Sequence, residues 1–208
     1  MFEHLKDYKY IFVSGMQRSG STICMRMIQW DLKIPHAIWP AQKPERVHEF
    51  VDLYGNSKII FHSPSLSHLL HEIPISFSDP VAIVWLRRDF DELYESGLRV
   101  NWNPSHDLGA YYLNVPERKD ITRKDIWNLK EAKEELWEKQ KKDIPYWFEI
   151  EYESLKEHSF WVEKEERSEF HVRQISENSP IKIIEGKTII LEPDSYGDLK
   201  SLRKEFPK

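Results

Sequence analysis

The sequence predicts a three-layer α/β fold, with a central, mainly parallel sheet flanked by helices. Three observations carry that reading. Short β-branched and aromatic runs alternate with longer amphipathic ones, the pattern of strands joined by crossover helices. Tyr10-Ile-Phe-Val13 enters a turn bounded by Gly15 and Gly20, and an apolar-periodic helix follows. Val81-Ala-Ile-Val-Trp-Leu86 is continuously apolar, as befits a parallel strand buried on both faces.

Taken in order, Tyr10–Val13 is the first strand. The first helix runs from about Gly20 to Asp31, with Ile23, Met25, Met27 and Ile28 as apolar positions and Cys24 as a buried thiol. Residues 34–44, which contain prolines, read as a connection. Glu45–Tyr54 reads as a short helix with Val47, Phe50, Val51 and Tyr54 on one face. Gly55-Asn56 turns the chain into a strand over Lys58–Phe61. Ser65–His71 reads as helical and Ile73–Pro80 as a loop. After Val81–Leu86 come Arg87-Arg88-Asp89 and a helix over Phe90–Leu98.

Residues 101–119 carry two prolines, Gly109 and Tyr111-Tyr112 without periodicity, which marks a functional or mobile segment. Residues 34–50, 64–80 and 101–120 are expected to line the acceptor pocket. Ile121–Lys142 is the clearest helix, with Ile126, Leu129, Ala132, Leu136 and Gln140 on one face and the charges of Lys130–Glu135 solvated. Asp143-Ile-Pro145 ends it, and Trp147–Ile150 reads as a strand. Residues 181–191 read as a hairpin turning at Glu185-Gly186. No repeat or low-complexity tract interrupts the chain, so one domain is expected over residues 1–208.

Composition bounds the function. A formal charge of −5 and a pI of about 6.0 exclude the basic field of a general nucleic-acid binder. One cysteine rules out an internal disulfide. No stretch approaches the length of a membrane span and the N-terminal residues lack a signal-type apolar region. The expectation is a cytoplasmic protein without membrane insertion.

The chemistry is concentrated at Gly15-Met-Gln-Arg-Ser-Gly-Ser-Thr22. A strand, a glycine turn and a helix N-terminus together aim backbone N–H groups at one concavity, where the helix dipole favours an anion. The spacing of Gly15 and Gly20 matches the nucleotide-triphosphatase loop, but Ser21 stands where that loop carries Lys, and Arg18 is the only cation. This form resembles the 5′-phosphosulfate loop of the sulfotransferases, which take a sulfuryl group from 3′-phosphoadenosine 5′-phosphosulfate (PAPS). The resemblance implies a P-loop sulfotransferase-like fold. It also implies that Gly15, Gln17, Arg18, Ser19, Gly20, Ser21 and Thr22 hold the donor.

A second segment agrees. Arg88 closes a strand and Ser96 lies eight residues on, two helical turns along, as in the 3′-phosphate site of that family. A guanidinium fork suits such an anion better than an ammonium does. Glu151-Tyr-Glu-Ser-Leu155 resembles a corner near the family's donor site. Tyr196-Gly-Asp-Leu-Lys-Ser-Leu-Arg203 is similar to a C-terminal segment that assigns Gly197 and Lys200 to the 3′-phosphate, with Leu199 replacing a Trp.

Sulfuryl transfer needs positioning, a cation at the leaving 5′-phosphate and a base for the acceptor. Arg18 fits the cation. Phe61-His62-Ser63-Pro64 resembles the Thr-His-Leu-Pro of cytosolic members, which makes His62 one candidate base. Glu45, after the first helix, is the other, by similarity to carbohydrate sulfotransferases. Ile60 replaces the family's nearby catalytic Lys, and Ile23 replaces the Trp that stacks on adenine. The resemblance implies a small-molecule or carbohydrate acceptor, no metal, and 3′-phosphoadenosine 5′-phosphate (PAP) as product. Two alternatives stay open: a P-loop small-molecule kinase or NTPase, and a catalytically silent nucleotide-binding scaffold.

Overall fold

Alternation of side chains along the buried strands divides the core into two halves, one on each face of a five-stranded sheet. The computed structural model describes residues 1–38, 44–54, 56–100, 102–104 and 121–161. Its elements are β1 (Tyr10–Gly15), α1 (Ser21–Leu32), β2 (His36–Ile38), α2 (Pro44–Tyr54), β3 (Ile59–His62), β4 (Val81–Arg87), α3 (Phe90–Arg99), α4 (Arg123–Gln140) and β5 (Trp147–Glu151). The strands lie in the order β2-β3-β1-β4-β5, and each adjacent pair is parallel.

On one face Ile11 and Val13 of β1, Ile60 of β3 and Ala82, Val84 and Leu86 of β4 pack with Cys24, Met25, Met27 and Ile28 of α1. The alternate residues point the other way. There Phe12 stacks on Phe61, and Trp85 stacks on Trp137 of α4 with ring planes 1° apart. Met16, Phe90, Leu93, Ile126 and Leu129 continue that second layer between α3 and α4. The expected three-layer α/β arrangement is therefore present.

The topology positions the site. From β1 the chain crosses through α1 to the β2 edge, whereas from β4 it leaves through α3 and α4 to the β5 edge. Neighbouring strands whose connections diverge leave a crevice at their carboxyl ends, where ligands of open α/β sheets bind. Gly15 and Leu86 face each other across that end.

Several expectations are corrected. The connection over residues 34–44 contains a strand, β2, whose three residues pair with β3; so short an element leaves no periodic signal. Ser65–His71 is not an α-helix, since only Pro64–Leu66 forms a 3₁₀ turn, entered through the proline. The buried face of α4 is Ile126, Leu129, Lys133, Trp137 and Gln140, so Lys133 and Trp137 replace Ala132 and Leu136. A charged residue at the third position hid the better fit to a 3.6-residue period.

The run Lys130–Glu135 is thus not a wholly solvated face. Lys133 is buried, and Glu134 pairs with Arg87 at the end of β4. Arg87 also meets Glu138 at 2.6 Å and Glu149 at 3.2 Å, tying α4 to the β4–β5 edge. Within Glu151-Tyr-Glu-Ser-Leu155, Glu151 ends β5 and the rest opens a 3₁₀ helix, Tyr152–Glu157, that buries Tyr152 and Leu155. No helix among the described residues is long and apolar enough to cross a membrane. The expected 181–191 hairpin lies outside the described residues.

Candidate functional site

The glycine loop runs from the end of β1 to the start of α1, and its backbone explains its residues. Gly15 has φ +135° and Gly20 φ +96°, conformations open to glycine and strained for other residues. A Cβ at Gly15 would fall 2.6 Å from the Leu86 carbonyl oxygen, and one at Gly20 would fall 2.4 Å from the Tyr152 ring. Both positions thus need glycine on two counts. Arg18 is itself left-handed, with φ +70°. Gly20 is the N-cap of α1 and has no side chain with which to cap the first-turn amides.

The two segments singled out in the sequence meet. Arg18 Nη2 donates to Ser96 Oγ at 3.1 Å, and Arg88 Nη1 donates to the Arg18 carbonyl oxygen at 2.8 Å. Arg88 does not pair with Asp89 or Asp91. Its Nε and Nη2 both donate to Glu92 Oε2 at 3.2 Å, and its guanidinium lies 3.8 Å from the centre of the Tyr152 ring. Asp89 instead caps α3, accepting from the Asp91 and Glu92 amides.

Arg18 has a different environment. Burial, and then the like charges of Arg88 and Arg99, lower its pKa. Its Nε is buried without a partner, and no carboxylate pairs with it among the described residues. Ser19 is fully buried, and among the described residues its Oγ is also without a partner. A Cβ at Gly15 would lie 3.1 Å from that hydroxyl. Two unsatisfied polar atoms in one loop, one of them on a guanidinium with no carboxylate beside it among the described residues, are costly in isolation. An oxyanion accepting from them removes that cost.

His62 closes the loop from the β3 side. Its Nε2 shares hydrogen bonds with Ser21 Oγ at 2.8 Å and Thr22 Oγ1 at 3.2 Å. Burial, assisted by the Arg26 charge, brings its pKa down to about 3, so the ring is neutral at pH 7. Beside it Ser14 Oγ donates to the Ser63 carbonyl and Ser63 N donates to the Val13 carbonyl, which laces the ends of β1 and β3 together.

Other expected site residues stand apart. Glu45 is exposed in the first turn of α2 and makes no hydrogen bond or ion pair with the loop among the described residues. Gly197 and Lys200 lie outside the described residues. Sequence reasoning missed Lys133, whose Nζ donates to Gln17 Oε1 at 2.8 Å and to the Pro64 carbonyl at 3.3 Å. The available signal was its place on the buried period of α4. Glu92 was also missed, although its i,i+4 spacing from Arg88 predicts contact on a helix.

The fold and site define an α/β protein with a glycine loop at the switch point of a parallel sheet. No protein-family model matches the chain, and no curated protein matches it in sequence. Among solved structures it is similar to shikimate kinase from Acinetobacter baumannii in complex with shikimate, at 10% identity and a TM-score of 0.45. That match covers 72% of this chain and 88% of the kinase chain.

Proposed function

We propose that this protein is a PAPS-dependent sulfotransferase acting on a hydroxyl or amine of a small-molecule or carbohydrate acceptor. One observation carries the reading: Arg18, the loop's only cation, touches Ser96 and is itself held by Arg88. These contacts bring the loop and the strand-end pair to the same side of the sheet, which supports one bis-phosphorylated adenosine bridging two neighbouring anion pockets. The residues fit the donor's chemistry. The unpartnered Arg18 Nε and Ser19 Oγ are groups an anion can satisfy, and the first-turn amides of α1 lack a side-chain cap.

PAPS supplies the sulfuryl group. The acceptor atom bonds to sulfur as the bond to the 5′-phosphate oxygen breaks, the acceptor proton passes to a base, and PAP leaves. In this reading Gly15, Arg18, Ser19, Gly20, Ser21 and Thr22 bind the 5′-phosphate, with Arg18 stabilising its charge, and Gln17 serves the sulfonate that the phosphate carries. Arg88 and Ser96 bind the 3′-phosphate, which competes with Glu92 for Arg88. His62 and Glu45 are the two candidate bases; burial, which brings the His62 pKa down to about 3, makes its imidazole a weak proton acceptor at neutral pH.

A second reading, a P-loop kinase of a small molecule, has one observation in its favour. Lys133 brings an ammonium to Gln17, a residue of the loop in which Ser21 replaces the usual lysine. Against it, β4 ends in Arg87 with Arg88 following, where that chemistry needs a magnesium-binding carboxylate. Calorimetry decides between them. Micromolar-order binding of PAP without magnesium supports the sulfotransferase, while stronger, magnesium-dependent binding of ATP supports the kinase. PAP binding with no turnover dependent on His62 or Glu45, against a range of acceptors, marks a silent scaffold.

A further inference from the structure

We infer that Lys133 and Gln17 form a positioning pair that reads the transferred sulfonate, an inference that rests on the sulfotransferase reading. Lys133 is 1% exposed, yet it sits on the face of α4 that otherwise carries Ile126, Leu129, Trp137 and Gln140. Burying an ammonium is costly, and an apolar residue would fill that position at lower cost. The charge reaches two points at the carboxyl end of the sheet: Gln17 in the loop after β1, and Pro64 in the turn after β3.

An ammonium only donates hydrogen bonds, so Lys133 fixes the polarity of the Gln17 amide. The carbonyl oxygen must face Lys133, which leaves the –NH₂ group for other acceptors. Gln17 Nε2 meets no protein acceptor among the described residues, and the side chain is half-buried rather than enclosed. Gln17 directly precedes Arg18, so this donor belongs to the same loop as the unpartnered Arg18 Nε and Ser19 Oγ. The ligand such a donor fits is an oxygen that only accepts, on the group next to the 5′-phosphate. A sulfonate oxygen has that character. PAP lacks this group and PAPS carries it, so the two ligands isolate the contact.

The test is calorimetry of PAP and PAPS without acceptor on the full-length chain, with thermal melting of each variant. Gln17→Ala and Lys133→Met are expected to weaken PAPS by roughly tenfold, the scale of one hydrogen bond to a charged group, with PAP within about twofold of wild type. Gln17→Glu is the sharper variant. It can pair with Lys133, so the melting temperature is kept or raised, while PAPS binding falls further because a donor becomes a carboxylate. If Lys133→Met does not fold, the two Gln17 variants still give the answer. Equal losses for PAP and PAPS, or lower melting temperatures with an unchanged PAPS-to-PAP ratio, overturn the inference and leave the sulfotransferase reading standing. Wild-type protein that binds neither ligand overturns both.

Discussion

Arg88 Nη1 donates to the carbonyl oxygen of Arg18 at 2.8 Å, so the residue after β4 holds the left-handed residue of the glycine loop. The same guanidinium is fixed by Glu92 one helical turn away and by the Tyr152 ring beneath it. Tyr152 in turn lies against Gly20. The loop is therefore braced by a single stack reaching from α3 to the 3₁₀ turn after β5.

Replacing Arg88 removes both brace and charge. Arg88→Ala is expected to weaken PAP binding by at least roughly tenfold, and Arg88→Lys should not restore it, because an ammonium cannot reproduce the guanidinium fork. Calorimetry checks both variants. Unchanged affinity in Arg88→Ala would remove this residue from the site.

Glu92 should act in the opposite sense on binding. Glu92→Gln frees Arg88 for an anion and is expected to raise PAP affinity severalfold. It also leaves the largely buried Arg88 less well compensated, so unfolding should become easier by about 1–3 kcal/mol. Calorimetry and denaturant titration together test this trade between affinity and stability. A variant that is both weaker-binding and less stable would contradict it.

Gly15→Ala and Gly20→Ala are expected to cost at least about 2 kcal/mol each, from positive φ and from contact. Gly15 should be the worse, because its added methyl meets a backbone carbonyl rather than a side chain. Tyr152→Ala in combination should relieve part of the Gly20→Ala penalty and none of the Gly15→Ala penalty. Thermal melting of the single and double variants measures this.

The imidazole of His62 carries a pH dependence. Its pKa falls from the ordinary 6.5 to about 3 on folding, so between those values the unfolded chain binds a proton that the folded chain does not. Stability must then rise with pH across that window and fall on acidification, by at most about 1.4 kcal/mol per pH unit from this group. His62→Gln should flatten the dependence of the urea midpoint between about pH 6 and 4. An unchanged slope would show that residue 62 does not contribute it.

Trp137 tests the corrected face of α4. It is fully buried, stacks on Trp85 at 4.8 Å between ring centres, and donates from Nε1 to Glu149 at 2.8 Å. Trp137→Ala should cost about 3–5 kcal/mol, whereas Leu136→Ala, on the half-buried side, should cost well under that. Chemical denaturation of the two variants separates the faces.

Legibility followed the range of the interaction. The strand–loop–helix around residues 10–32 and the β4–α3 unit could be read because periodicity, glycine placement and the end of an apolar run are local signals. β2 was too short to leave one. The face of α4 was misread because its deciding residue is a buried lysine, and a sequence pattern assigns lysine to solvent by default.

The order of residues alone thus sufficed for the α/β class and for the two glycines of the loop after β1. Each of these depends on contacts within a few residues. Chain folding decided which distant groups meet: Arg18 with Ser96, Lys133 with Gln17, Tyr152 with Gly20. These pairs are separated by up to 132 positions, counted from Gly20 to Tyr152. They exist because the parallel sheet brings the carboxyl ends of its strands to one edge, an effect of topology that no short window of sequence encodes.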